Sequence, residues 1–252
     1  MTMRACLEVC VDSLAGLDIA VASGADRIEL CSALNLAGLT PSCGLMAMAA
    51  AKDFPCYVLI RPRAGDFCYN RREIDVMRHD IDGVRSMRLT GIVIGASLSD
   101  GNLDEETLHQ LLEHAAGLPA VLHRAFDLVP DFQIALETAI RLGFKRVLTS
   151  GGAPNALSGS TVIRKLVEQA GDRIEVMAGA GLSPGNVTQL VRGTRVPAVH
   201  SSCSSPVHNS DSAIASRAVA LGFTPALQRT TDAKVVTAML QSLDALAAAT
   251  SE

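Results

Sequence analysis

Short apolar, β-branched runs recur along the chain, each followed by a longer stretch whose apolar residues return at helical spacing. The runs are Cys6–Val11, Arg27–Cys31, Cys56–Arg61, Gly91–Ala96, Ala120–Arg124, Arg146–Ser150, Ile174–Ala178 and Ala198–Ser202. Helical spacing follows over Ser13–Ala22, Ser42–Lys52, Glu73–Arg88, Asp104–Ala115, Asp131–Leu142 and Ser160–Ala170, then briefly after Pro184 and over Ala233–Ala248. Pro41 suits the start of the second helix, because its missing N–H is not needed there. Eight strand–helix units in 252 residues predict an α/β fold: a single-domain (β/α)8 TIM-type barrel over 1–252. An open doubly wound sheet has the same alternation, but no G-x-G-x-x-G follows the first strand. The Ser-rich stretch Ser201–Ala213 reads as a long polar loop, a flap after the eighth strand.

Side chains two apart on a strand share a face. Glu8 with Cys10, and Glu29 with Cys31, should therefore point into the barrel near its C-terminal end, where barrels keep their sites. An unpaired buried carboxylate is costly, so partners must exist. Arg61, Arg63, His123, Arg124 and His200 fall at or near strand ends. One reading is an internal ion network in which Glu8, Glu29 and Arg61 neutralise one another. The other is a preorganised catalytic pocket. There Glu8 and Glu29 serve as general base and acid, His123 shuttles protons and Arg61 clamps a carboxylate or phosphate. Such a set suits an uncharacterised enzyme acting on a small anionic substrate. No Lys lies at a strand end, which argues against Schiff-base chemistry.

The late strand ends Thr149-Ser150-Gly151-Gly152, Ala178-Gly179-Ala180-Gly181 and His200-Ser201-Ser202 are rich in small residues, as phosphate-binding loops are. Arg63, Ser150, Gly151, Gly179, Gly181, Ser201 and Ser202 are the candidate anion-binding set. The thiols open a further class. Soft thiolates select Cu(I) or zinc, and Cys10 and Cys31 lie on sequential strands, with Cys68 as a possible third ligand.

Composition narrows the field. Net charge is −4, aromatic residues are 3% and Trp is absent, so neither nucleic acid nor an anionic membrane is an expected partner. The seven cysteines include no C-x-x-C, and Glu8 and Asp12 interrupt the N-terminal stretch. We expect reduced thiols, no signal peptide, no membrane span and a cytoplasmic location.

These same residues resemble the CutC family of copper homeostasis proteins. The resemblance lies in Glu8-Val9-Cys10, Gly24-Ala25-Asp26-Arg27-Ile28-Glu29-Leu30-Cys31, Gly38-Leu39-Thr40-Pro41-Ser42 and Ile60-Arg61-Pro62-Arg63-Ala64-Gly65-Asp66-Phe67. It continues through His123-Arg124-Ala125-Phe126-Asp127, Val147-Leu148-Thr149-Ser150-Gly151, Met177-Ala178-Gly179-Ala180-Gly181 and His200-Ser201-Ser202. It implies a cytoplasmic (β/α)8 barrel, a homo-oligomer, and Cu(I) binding through Cys10 and Cys31 of the two Glu-x-Cys motifs. It also covers Glu8, Glu29, Arg61, His123 and Asp127, which are not soft-metal ligands and which a copper carrier alone does not need. Ala37 and Ala64 stand where the family pattern has glycine, a costly change wherever the backbone needs positive φ.

Overall fold

The computed structural model describes residues 4–208 and 212–249. Eight parallel strands close into a barrel in sequence order, β8 returning to β1. They are β1 (Cys6–Val11), β2 (Arg27–Leu30), β3 (Cys56–Leu59), β4 (Gly91–Ile94), β5 (Ala120–Leu122), β6 (Arg146–Thr149), β7 (Glu175–Gly179) and β8 (Ala198–Ser201). The crossover helices are α1 (Leu14–Ala22), α2 (Cys43–Ala50), α3 (Arg71–Ser86), α4 (Glu105–His114), α5 (Phe132–Leu142), α6 (Ser160–Ala170) and α7 (Val187–Thr194). Side-chain oxygens fix several helix starts, among them Ser13, Ser42, Asp104 and Asp131; Asn70 and Glu73 form a reciprocal capping box at α3.

Period-two alternation sorts each strand into two faces. Leu7, Val9, Ile28, Leu30, Val58, Ile92, Ile94 and Val199 pack outward into the main core. Tyr57, Leu59, Val93, Val121, Leu148, Met177 and Ala198 fill the barrel lumen, together with Cys31. The lumen is a packed layer that forms the floor beneath a polar mouth.

Two expectations change. The eighth unit carries an excursion where a plain loop was expected after Ser201. Ser204–His208 forms β9, paired antiparallel with β10 (Leu227–Thr231), and α8 (Ala213–Ala220) lies between them; residues 209–211 of the expected loop lie outside the described residues. The chain then closes with α9 (Ala233–Ala249). Of the two alanines at glycine positions, Ala37 does sit in the left-handed region at φ 64°, whereas Ala64 is not among the positive-φ residues. Among the described residues no helix is long and apolar enough to cross a membrane.

Candidate functional site

Alternate residues of β1, β2, β6, β7 and β8 face the lumen, and that spacing builds an ionic ladder. At the N-terminal end, Arg146 Nε donates to Glu175 at 2.8 Å while its guanidinium covers the Tyr57 ring. The same Glu175 oxygen takes Arg27 Nη2 at 2.5 Å, and Arg27 Nε donates to Glu8 at 2.8 Å. The second Glu8 oxygen meets His200 Nδ1 at 2.8 Å. The register explains the contacts, because Glu8 stands beside Arg27 on one side and His200 on the other. This corrects the expected network: Arg27 and His200 neutralise Glu8, and Arg61 does not.

Burial would raise Glu8, but His200 and Arg27 outweigh it and hold the carboxyl below the usual glutamate range. Burial likewise works against charge on His200, yet Cys10, Glu29 and Glu8 around the ring lift it well above the usual histidine range. Glu29, next to Cys10 in the register, is different. Its carboxyl is buried, and Oε2 has no hydrogen-bond partner among the described residues. Burial and neighbouring Glu8 push it up to about 7, against the pull of His200. Ligand atoms of Glu8, Glu29 and His200 lie within 4.8 Å of one another. A cation there would compete with Arg27 on Glu8, and a protonated imidazole has no lone pair to give it.

Arg61 follows β3. Its guanidinium donates to the carbonyls of Leu36, Gly38 and Gly65, each at 2.8 Å, so the fork expected to clamp an anion ties two loops together instead. Its Nε is buried and faces the nearby Tyr69 hydroxyl, whose pKa burial pushes up to about 12 against the pull of Arg61. Both Arg61 and His123 stack on Phe67. His123 ends β5 and caps a 3-10 turn over Arg124–Leu128: Ala125 N–H donates to its Nδ1 at 3.0 Å. Burial and Arg61 push the imidazole down to about 3. Both effects work against a second proton on the ring, which sets this histidine apart from the expected proton shuttle.

These groups surround a cavity of about 740 Å³ at the C-terminal mouth. Cys10, Glu29, Arg61, His123, Asp127 and His200 line it, with Gly181, Ser201 and Ser202 from the late loops and Leu59, Phe67 and Leu148 as apolar wall. Glu8 sits just behind His200, fully buried. Asp127 reaches the rim already engaged. It accepts from Thr149 Oγ1 at 2.6 Å and from the Ser150 and Gly152 amides, and it pairs with Arg124 at 2.7 Å. It organises the loop after β6.

The anion set divides. Arg63 turns away from the mouth onto Glu73 and Asp66. Ser150 donates to Ala153 O, Gly151 N–H donates to Thr149 Oγ1, and Gly179 is a gap beneath Leu148 and His200. Those four residues do not line the cavity; Gly181, Ser201 and Ser202 do. Of the thiols, Cys10 and Cys203 line the cavity. Cys31 lies on the lumen floor, donating to Val11 O at 3.4 Å, and burial with Glu29, Cys10 and Asp12 nearby pushes it far up. Cys68 is outside the cavity.

Sequence reasoning missed Arg27, Glu175 and Arg146; His200, offered there as one partner for the buried carboxylates, does pair with Glu8. Counting back two positions from Glu29 reaches Arg27, and back four from Gly179 reaches Glu175, so the alternation already held that signal. Counting the ladder, Glu29 and Arg61, four basic groups (Arg27, Arg61, Arg146, His200) face three carboxyls (Glu8, Glu29, Glu175). The lumen keeps positive charge in excess.

The CutC family model matches residues 5–205. The chain is 54% identical over 243 residues to a family protein CutC of Caulobacter vibrioides (strain NA1000 / CB15N), covering 96% of this chain and 98% of the relative. It is 44% identical over 200 residues to the copper homeostasis protein cutC homolog of Caenorhabditis elegans, covering 79% and 80%. A CutC crystal structure from Streptococcus agalactiae superposes with a TM-score of 0.76 at 33% identity, over 79% of this chain and 98% of that one. Phosphoribosylanthranilate isomerase of Thermotoga maritima, in a monomeric form, superposes with 0.58 at 14% identity, over 96% and 99%, a likeness of fold alone.

Proposed function

The chain belongs to the CutC family, and on that premise we propose that the barrel mouth is an acid–base site for a small anionic substrate, with Glu29 as the group that moves the proton. The carrying observation is a buried carboxyl with an unpartnered oxygen, set in the wall of a cavity whose charged groups sum positive. A buried acceptor left unpaired costs folding free energy, and a ligand that satisfies it repays that cost. His200 and Glu8 act as a fixed charge pair behind it. The cation excess favours a substrate carrying a carboxylate or phosphate.

The test is a calorimetric titration with 2-phosphoglycolate. Wild type should bind it saturably, with affinity falling as salt rises. Glu29→Gln, which removes a negative charge, should bind it as well or more tightly. No saturable binding to either protein would remove the basis for this reading.

A second reading takes copper as cargo, as the names of two relatives suggest. It is supported by Cys10, a soft ligand on the cavity wall beside His200. Cys31 could join it only by giving up its proton and its bond to Val11. An anaerobic Cu(I) titration against a competing chelator separates the readings. Stoichiometric binding lost in the Cys10→Ser/Cys31→Ser double variant would favour copper. Binding too weak to compete, or indifferent to both thiols, would count against it.

A further inference from the structure

His123 carries a proton whose place is fixed by its neighbours. Its backbone N–H continues the sheet by donating to Ile94 O at 2.9 Å, so the residue is held at the end of β5. Its Nδ1 accepts the Ala125 amide, and a ring nitrogen that accepts carries no hydrogen. The proton of the neutral ring is therefore on Nε2. Two features lock the ring. Phe67 packs against it with the ring planes tilted by 43° and centroids 4.6 Å apart, and Gly95 leaves the space it occupies, since a Cβ there would overlap the imidazole. Nε2 is buried, lacks a partner among the described residues, and belongs to a ring that lines the cavity. Arg61 stands by, on the other contact of Phe67, and its charge discourages a second proton on the ring.

A preorganised neutral N–H donor is suited to an oxygen on which negative charge develops during reaction. On β2, Glu29 lines the same cavity and has a buried oxygen without a partner among the described residues. Building on the acid–base reading above, we propose that His123 Nε2–H holds the carbonyl oxygen of a small anionic carbonyl compound while Glu29 moves a proton at the adjacent carbon. The Glu29 carboxylate takes the proton from that carbon. The C–H pair becomes the new C=C bond, and the carbonyl π pair moves to oxygen, where the His123 hydrogen bond strengthens. The proton then returns from Glu29, to the same carbon or, after the enediol hydroxyl proton shifts, to its neighbour. No oxidant, reductant or co-reactant is consumed, so the reaction class is enolisation.

Two measurements test this. In ¹⁵N-histidine-labelled wild type, ring spectra from pH 5 to 9 should show His123 as the neutral Nε2–H tautomer throughout. A ring protonated on Nδ1, or an imidazolium at neutral pH, would overturn the assignment whatever the substrate. In D₂O with dihydroxyacetone phosphate as probe, wild type should exchange the carbon-bound hydrogens faster than buffer. His123→Leu should lose about 100-fold or more of that rate, as removal of an oxyanion donor does. His123→Gln, which keeps an N–H, should lose less, both variants being checked for wild-type melting. Exchange abolished by Glu29→Gln but unchanged in His123→Leu would overturn the role of His123 and leave the acid–base reading intact. Absence of wild-type exchange while 2-phosphoglycolate still binds would overturn enolisation alone. Absence of both exchange and binding would overturn both readings.

Discussion

Two glutamates of one sheet face, Glu8 and Glu29, reach opposite ionisation behaviour because their partners differ. Glu8 has Arg27 and His200; Glu29 has a free oxygen and a buried wall. The consequences for stability carry opposite signs. Glu8 is lowered in the fold, so its contribution is present above the usual glutamate range and lost as pH falls through its folded value. His200 is raised, so its contribution is complete below the usual histidine range and lost as pH climbs through its folded value. Glu29 is raised to about 7, so the fold keeps a proton that the unfolded chain releases above about 4.5. Its burial therefore destabilises progressively across that window. Glu29→Gln should gain stability relative to wild type between pH 5 and pH 8, by roughly 1–3 kcal/mol at about 1.4 kcal/mol per pK unit. Urea unfolding at the two pH values measures it, and a pH-independent difference would show that Glu29 does not titrate there. The two Glu-x-Cys faces were legible from alternation alone. The ionisation states were not, since they depend on Arg27 and His200, brought beside Glu8 by closure of the barrel.

At the scale of elements, the loop after β6 depends on one carboxylate from the turn after β5. Asp127 accepts from Thr149, Ser150 and Gly152 with only a small part of its side chain exposed. Asp127→Ala should cost about 2–3 kcal/mol, the scale of charge-assisted hydrogen bonds left unmade. It should also speed amide exchange at Ser150 and Gly152. Slow exchange with full stability would mean that the loop holds itself. All eight barrel strands follow from apolar runs, although β7 begins at Glu175, one residue later than expected. The β9–β10 pair was missed for a physical reason. Ser204–His208 and Leu227–Thr231 have no buried face to impose alternation, and the segment between them hides their pairing from any local window. Arg63 failed for a related reason. Its proximity in sequence to Arg61 suggested a shared site, but Glu73 at the start of α3 claims it.

For the molecule as a whole, closure of the barrel is what places a charged ladder from β6 to β8 inside a hydrophobic shell. Arg27 links its two carboxylates, Glu8 and Glu175, across the lumen. Arg27→Met should therefore destabilise by about 3–5 kcal/mol, because removing one partner leaves buried charge uncompensated. Denaturant unfolding checks this, and a loss below about 1 kcal/mol would mean that the ladder is already hydrated. At the open end of that ladder, the proposed site has Glu29 exchange protons with an anionic ligand. The most direct test is calorimetric titration of 2-phosphoglycolate at pH 7 in two buffers of different ionisation enthalpy, which counts protons taken up on binding. The account predicts proton uptake by wild type that vanishes in Glu29→Gln while binding persists. Binding without proton uptake, or uptake that survives in Glu29→Gln, would contradict it.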